Sequence, residues 1–418
     1  MTISHVPQSP SSAPPSAARP SFEALFSYGF RPFFLGAAIH AVLVMTLWIA
    51  WIAWATAGWT QDWLPVAGSP YAWHAHEMVF GFAAAAIAGF LLTAVPNWTG
   101  ALPLSGLPLA VVFVAWLVGR VAMGASALMP YPLAAALDLL FLPTLGGVAA
   151  RQLFARSTLR NLVFLGLVAG MTVCNGLFHL GNGGYIDVDP LAATRAAMLI
   201  VIVMIAIIGG RIIPAFTHNW LNGKRPPLPM PQRIPWLDRS ALASLVVFAV
   251  FEASGVSGML LGTVALCAAV ANGARLALWR GIATRSEPIV WILHIAYAWI
   301  VLALALAALA SFGGGVPLPL VSHAFGTGAI GTMILAIMSR ASLGHTGRRI
   351  VASRAIVVAY HLVTLSAVLR IGGPLLAPEY AAPLLAAAGL AWIGAFLLFA
   401  IVYAPILTTP RVHTKLAH

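Results

Sequence analysis

Two histidines separated by one residue, with a glutamate beside them, stand at the head of a long apolar run. The stretch is Trp73-His74-Ala75-His76-Glu77-Met78-Val79-Phe80-Gly81-Phe82, and the run ends near Pro96. Ionisable groups at the mouth of a membrane span are costly in lipid, so they face the bundle interior and mark sites. Imidazole is a ligand for iron and copper, and the stretch reads as a candidate metal or heme site. At about 100° per residue, side chains two apart on a helix point roughly 200° apart. His74 and His76 therefore suit two sites, one on each side of the helix. Glu77 could orient an imidazole through its second nitrogen. The plainer alternative is a pair of interfacial histidines bonded to backbone carbonyls, with Trp73 and Glu77 as anchors.

Other residues could join this chemistry. His323 heads a later apolar run, and His40 and His361 lie nearer mid-membrane, where each could ligate a second heme or a copper ion or rest in the core. Arg120 and Arg370 end two runs on the side of His74 and His76, and guanidinium groups bind carboxylates such as heme propionates. Interfacial snorkelling explains each arginine as well. His294 is a weaker candidate, and His179 beside Gly181 reads as a cap or loop residue. Asp138 and Glu252 read as buried acids for a proton path or for a neighbour. At the opposite face, Arg211, His218, Asn219 and Trp220 with Arg340, His345, Arg348 and Arg349 could bind an anion, quinone or partner, or simply set topology.

The elements that must position these residues are membrane spans. The chain has 418 residues, 61% hydrophobic and only 8% charged, with mean hydropathy +0.94. A span needs about 20 apolar residues, and about twelve runs qualify, at roughly 31–57, 74–96, 105–124, 131–151, 160–180, 191–214, 240–255, 258–279, 288–311, 318–340, 353–371 and 381–405. The longest internal loop is 215–239. Residues 1–21 are rich in Pro, Ser and Ala and read as a disordered tail, as do 411–418, leaving one transmembrane domain over 22–410. The net charge of +12 does not point to nucleic acid, because 17 of the 22 Lys and Arg fall in the tails and alternate loops. That bias places both termini in the cytoplasm. Cys174 and Cys267 sit in apolar runs and read as core thiols.

A weak internal repeat runs through the spans. Sliding the second onto the tenth by 247 residues superposes His76 on His323 and Gly81 on Gly328. The second matches the sixth at Pro96/Pro214, and the third matches the eleventh at Arg120/Arg370. These matches imply three four-helix pseudo-repeats, about 22–155, 156–284 and 285–410, as in the heme–copper oxidase main subunit. The repeat makes His76 and His323 the expected pair across one heme iron.

Five motifs carry a family resemblance: Ser27-Tyr28-Gly29-Phe30-Arg31-Pro32-Phe33-Phe34, Trp73-His74-Ala75-His76-Glu77-Met78, Ala94-Val95-Pro96-Asn97-Trp98-Thr99-Gly100, Gly210-Arg211-Ile212-Ile213-Pro214-Ala215-Phe216 and Ser339-Arg340-Ala341-Ser342-Leu343-Gly344-His345-Thr346-Gly347-Arg348. On these the chain resembles the NnrS family over nearly all its length after residue 20. The resemblance implies a multi-pass protein of the bacterial inner membrane containing heme b, one or two, and copper. It also implies a link to denitrification and nitric oxide resistance, with NO as ligand or substrate. Its motif histidines correspond here to His74, His76, His323 and His345. An NO-reducing oxidoreductase fed by a quinol or other electron donor is one expectation. A transporter, or an NO sensor with a partner, is the alternative.

Overall fold

The computed structural model describes residues 19–59, 63–156, 159–222, 224 and 228–412. Among the described residues every regular element is helical. Twelve long helices follow one another: α1 (Phe30–Thr56), α2 (Pro70–Thr99), α3 (Gly106–Gly124), α4 (Tyr131–Phe154), α5 (Asn161–Asn182), α6 (Pro190–Leu221), α7 (Pro235–Ala253), α8 (Gly258–Ala277), α9 (Pro288–Ser311), α10 (Leu318–His345), α11 (Arg354–Leu376) and α12 (Ala381–Thr408). Eleven of the described helices are long and apolar enough to cross a membrane, so the chain is a polytopic membrane protein. The remaining one, α7, carries Asp238, Arg239 and Glu252 within its 19 residues, which lowers its hydropathy.

Helix starts follow local chemistry. Pro70, Pro190, Pro235 and Pro288 each open a helix, where proline's missing N–H costs nothing. Asp189 caps α6 by accepting from the N–H groups of Leu191 and Ala192. Gly100 ends α2 in the left-handed conformation that suits glycine.

Neighbours in sequence are neighbours in space, and α12 packs on both α11 and α1, which closes the chain into a ring. Inside it, α2, α6 and α10 touch one another. Their apolar windows are 83%, 67% and 72% buried, against 33–61% for the other candidate spans. These three inner helices recur every fourth element. Both described ends lie at one face, where the Ser21 N–H donates to Thr408 O.

Several sequence-based boundaries shift. Helix α6 continues to Leu221 and α7 starts at Pro235, so the expected 215–239 loop is mostly helical at its ends. Within it, residues 223 and 225–227 lie outside the described residues, as do 1–18 and 413–418 of the expected tails. Ser21 is fixed, capping a one-turn helix Phe22–Leu25. Cys174 is buried but Cys267 is exposed, so only one thiol is in the core. Helix α2 begins at Pro70, which sets His74 and His76 within the helix rather than at its mouth.

Candidate metal and cofactor sites

Both histidine-bearing inner helices change their winding at the same point. Helix α2 is π-helical over Glu77–Ala83, starting one residue after His76. Helix α10 is π-helical over Ala324–Gly331, starting one residue after His323. The difference 324 − 77 is 247, the same offset that superposes the two histidines. A π segment widens the turn and is found frequently at functional sites. Here the two segments also form the contact between α2 and α10.

On one face of α2, His76 is fully enclosed in a polar network. Its Nδ1 lies 3.0 Å from Glu77 Oε1, and its Nε2 lies 3.2 Å from Asp138 Oδ2 and 3.0 Å from Asn175 Oδ1. Asp138 Oδ2 also meets His179 Nε2 at 2.9 Å and accepts from Asn175 Nδ2 at 2.8 Å. Tyr131 Oη contacts the other nitrogen of His179 at 3.0 Å. Arg120 bridges the two acids, donating from Nη1 to Glu77 and from Nη2 to Asp138. His40 Nε2 stands 3.1 Å from Glu77 Oε2. With neutral imidazoles, two carboxylates against one guanidinium leave the cluster one negative charge in excess. Buried charge must be paired, so either an extra proton on an imidazole or a cation completes it.

His76, Asp138 and His179 offer ligand atoms within 4.8 Å of one another. Ligand atoms about 2 Å from one metal lie roughly 3 Å apart, close to the 3.2 Å and 2.9 Å by which the two imidazoles approach Asp138 Oδ2. Two nitrogens and one carboxylate oxygen suit iron, copper or zinc. Each imidazole already has its second nitrogen oriented, His76 by Glu77 and His179 by Tyr131, as metal-ligating histidines do. The residues present fit a metal ion.

On the opposite face, His74 lies flat on Trp48, with ring centroids 4.3 Å apart and planes at 11°. Its Nδ1 is buried without a hydrogen-bond partner, and its Nε2 makes no hydrogen bond among the described residues. His323 and Arg370 lie within electrostatic reach of His74 and of each other. His323 donates from Nδ1 to Pro319 O at 2.7 Å, which leaves the lone pair of Nε2 for a ligand. Arg370 makes no hydrogen bond or ion pair among the described residues. Two imidazoles, each with an Nε2 that makes no hydrogen bond among the described residues, and one guanidinium without a partner among them fit an iron-centred cofactor carrying carboxylates.

The structure therefore regroups the residues expected from sequence. His76 does not stand with His323, because both of its nitrogens turn into the network against α4 and α5. His74 takes that place. Arg120 is enclosed between Glu77 and Asp138, so it is not available to a propionate, whereas Arg370 is. His40 joins the His76 network through Glu77. His361 is exposed beside Trp291 on the outer side of α11, apart from either group. His345 is exposed and stacks with Tyr28 at the far end of α10. His179, expected to be a loop residue, and Asp138 are central to the network. His294 Nε2 meets the Thr217 hydroxyl at 2.9 Å, and Glu252 pairs with Arg195 at 3.1 Å. Asp138 is the signal that could have exposed the network, since a lone acid in a span demands a partner.

Among curated proteins no similar sequence is found. The model of the family described as NnrS protein matches residues 24–411. The inner helices with their two histidine faces lie within that match, and this chain belongs to the NnrS family.

Proposed function

We propose that this protein is a two-centre redox protein of nitric oxide metabolism or tolerance in the bacterial inner membrane. In one centre His74 and His323 would hold heme b, and Arg370 would pair with one of its carboxylates. The other is a copper ion held by His76, Asp138 and His179. The observation that carries this reading is the division of His74 and His76 onto opposite faces of α2, one with unpaired nitrogens and the other in an anionic donor cluster. Held by both imidazoles, heme iron would have no open position and would supply single-electron transfer, which leaves NO binding to the metal of the second donor set.

The chain's own residues supply the rest. The Pro319 carbonyl fixes the tautomer of His323, and Trp48 fixes the plane of His74. Glu77 and Tyr131 orient the second donor set. Reduction of two NO to N2O consumes two protons and two electrons and releases water. The electrons would come from a quinol or another electron donor. The titratable His40–Glu77–His76–Asp138–His179 series lies beside the copper donors. A small apolar space lies between α2, α6 and α10, lined by Ala86, Met204, Ile208, Met333, Ile337 and other apolar residues. It suits an uncharged gas, and it offers a polar transport substrate nothing to bond. That weighs against the transporter alternative.

Purified protein from heme-replete, copper-supplemented cells tests the reading by visible absorption and metal analysis. His74→Ala and His323→Ala are expected to lose the Soret band. His76→Ala and His179→Ala are expected to lose copper and retain the Soret band. Wild type with neither a Soret band nor bound metal would sink the proposal.

A further inference from the structure

At the face that carries both described chain ends, two guanidinium groups converge on one threonine. Arg31 Nη1 donates to Thr409 O at 2.7 Å and to Leu407 O at 2.8 Å. Arg348 Nη2 donates to Thr409 Oγ1 at 3.1 Å. The two cations lie close enough to repel each other. Arg411 adds a third charge, within electrostatic reach of His345 and Tyr28. The His345 ring stacks on Tyr28 with centroids 6.0 Å apart.

Part of this arrangement has a purely structural role, since Arg31 caps the last carbonyls of α12, where a cation is favoured. That role does not account for the rest. Arg348 Nη1 is buried and has no hydrogen-bond partner among the described residues. Neither Arg31, Arg348 nor Arg411 forms an ion pair among the described residues. Glu23, on the one-turn helix packed beside α12, is exposed and pairs with none of them. Partial burial pushes the Arg348 guanidinium below its usual range. Like charges held together without an acid are costly unless an anion neutralises them. Planar guanidinium forks match phosphate oxygens, and headgroup phosphates lie at the ends of membrane spans.

We infer that Arg31, Arg348 and Arg411, with His345 and Tyr28 beside them, form a phosphate-binding site at this face of the bundle. The ligand chemistry is an anionic phosphate, either the headgroup of an acidic phospholipid or free phosphate. The site is independent of the two centres in the inner helices, and its test does not depend on them.

The test uses full-length protein delipidated in a phosphate-free maltoside detergent. Its thermal midpoint is followed on addition of phosphatidylglycerol, of inorganic phosphate, or of an uncharged diacylglycerol. Binding only to the folded state raises the midpoint by about 5 °C at saturating ligand. A rise with phosphatidylglycerol alone assigns the site to a headgroup, and an equal rise with inorganic phosphate assigns it to the free anion. Arg348→Gln and Arg411→Gln should each remove most of the rise. Should these variants not fold, native mass spectrometry of wild type decides, with one phospholipid or phosphate expected to survive activation. Equal response to diacylglycerol, an undiminished rise in both variants, or no retained phosphate species would overturn the inference.

Discussion

His74 and His76 stand two residues apart on α2 and belong to different environments. His74 stacks on Trp48 with its nitrogens unpaired, whereas both nitrogens of His76 are engaged by Glu77, Asp138 and Asn175. Helix geometry requires the divergence, and the π segment that begins at Glu77 widens the next turns. One short motif thus presents its two imidazoles to two different environments on either side of a helix.

Arg370 is expected to matter for cofactor retention rather than for folding, because it has no partner among the described residues to lose. Arg370→Gln should lower heme occupancy several-fold while leaving the thermal midpoint of the heme-free protein unchanged within about 2 °C. A heme-to-protein ratio equal to that of wild type would show that the guanidinium does not face the cofactor.

Arg120 should behave in the opposite way. It neutralises two buried carboxylates, and removing one partner of a buried pair costs about 3–5 kcal/mol. Arg120→Gln is therefore expected to lower stability sharply, with the midpoint in detergent as the readout. Combining it with Glu77→Gln should recover part of the loss, as a double-mutant cycle would record.

Gly81 separates space from backbone freedom. A Cβ there would collide with His40 Nε2 and come within 3.0 Å of Arg120 Nη1. Gly81→Ala should displace His40 and Arg120, disturb the Glu77 network and reduce copper content. The Soret band is expected to persist, because His74 faces away. A variant that retains full copper would show that the cluster tolerates the displacement.

Trp48→Leu tests the other face. Losing the flat ring contact with His74 removes about 0.5–1.5 kcal/mol of aromatic interaction. The expected result is a shifted or broadened Soret band with copper content unchanged. An unaltered spectrum would mean that Trp48 does not set the orientation of the His74 ring.

Much of this protein is legible in its sequence. Apolar runs gave spans, and proline and glycine punctuated them, because lipid requires each span to satisfy its own backbone. The His-X-His spacing alone implied two faces, since side-chain direction along a helix depends only on position. Glu77 as an orienting carboxylate followed from its adjacency to His76. Partnerships between distant helices were not legible. Arg120 and Arg370 are alike as sequence positions, yet one is locked between acids and the other has no partner among the described residues.

The sequence by itself determined the membrane class, the family resemblance and the residues with metal-binding chemistry. These depend on composition, local periodicity and motif, each contained in a short stretch of chain. Only the tertiary structure decided that His323 stands with His74 rather than His76. It also brought Asp138 and His179 from α4 and α5 to His76. Those choices depend on the rotation of each helix about its axis when twelve of them close into a ring. That rotation is set by packing among all neighbours, not by any one segment.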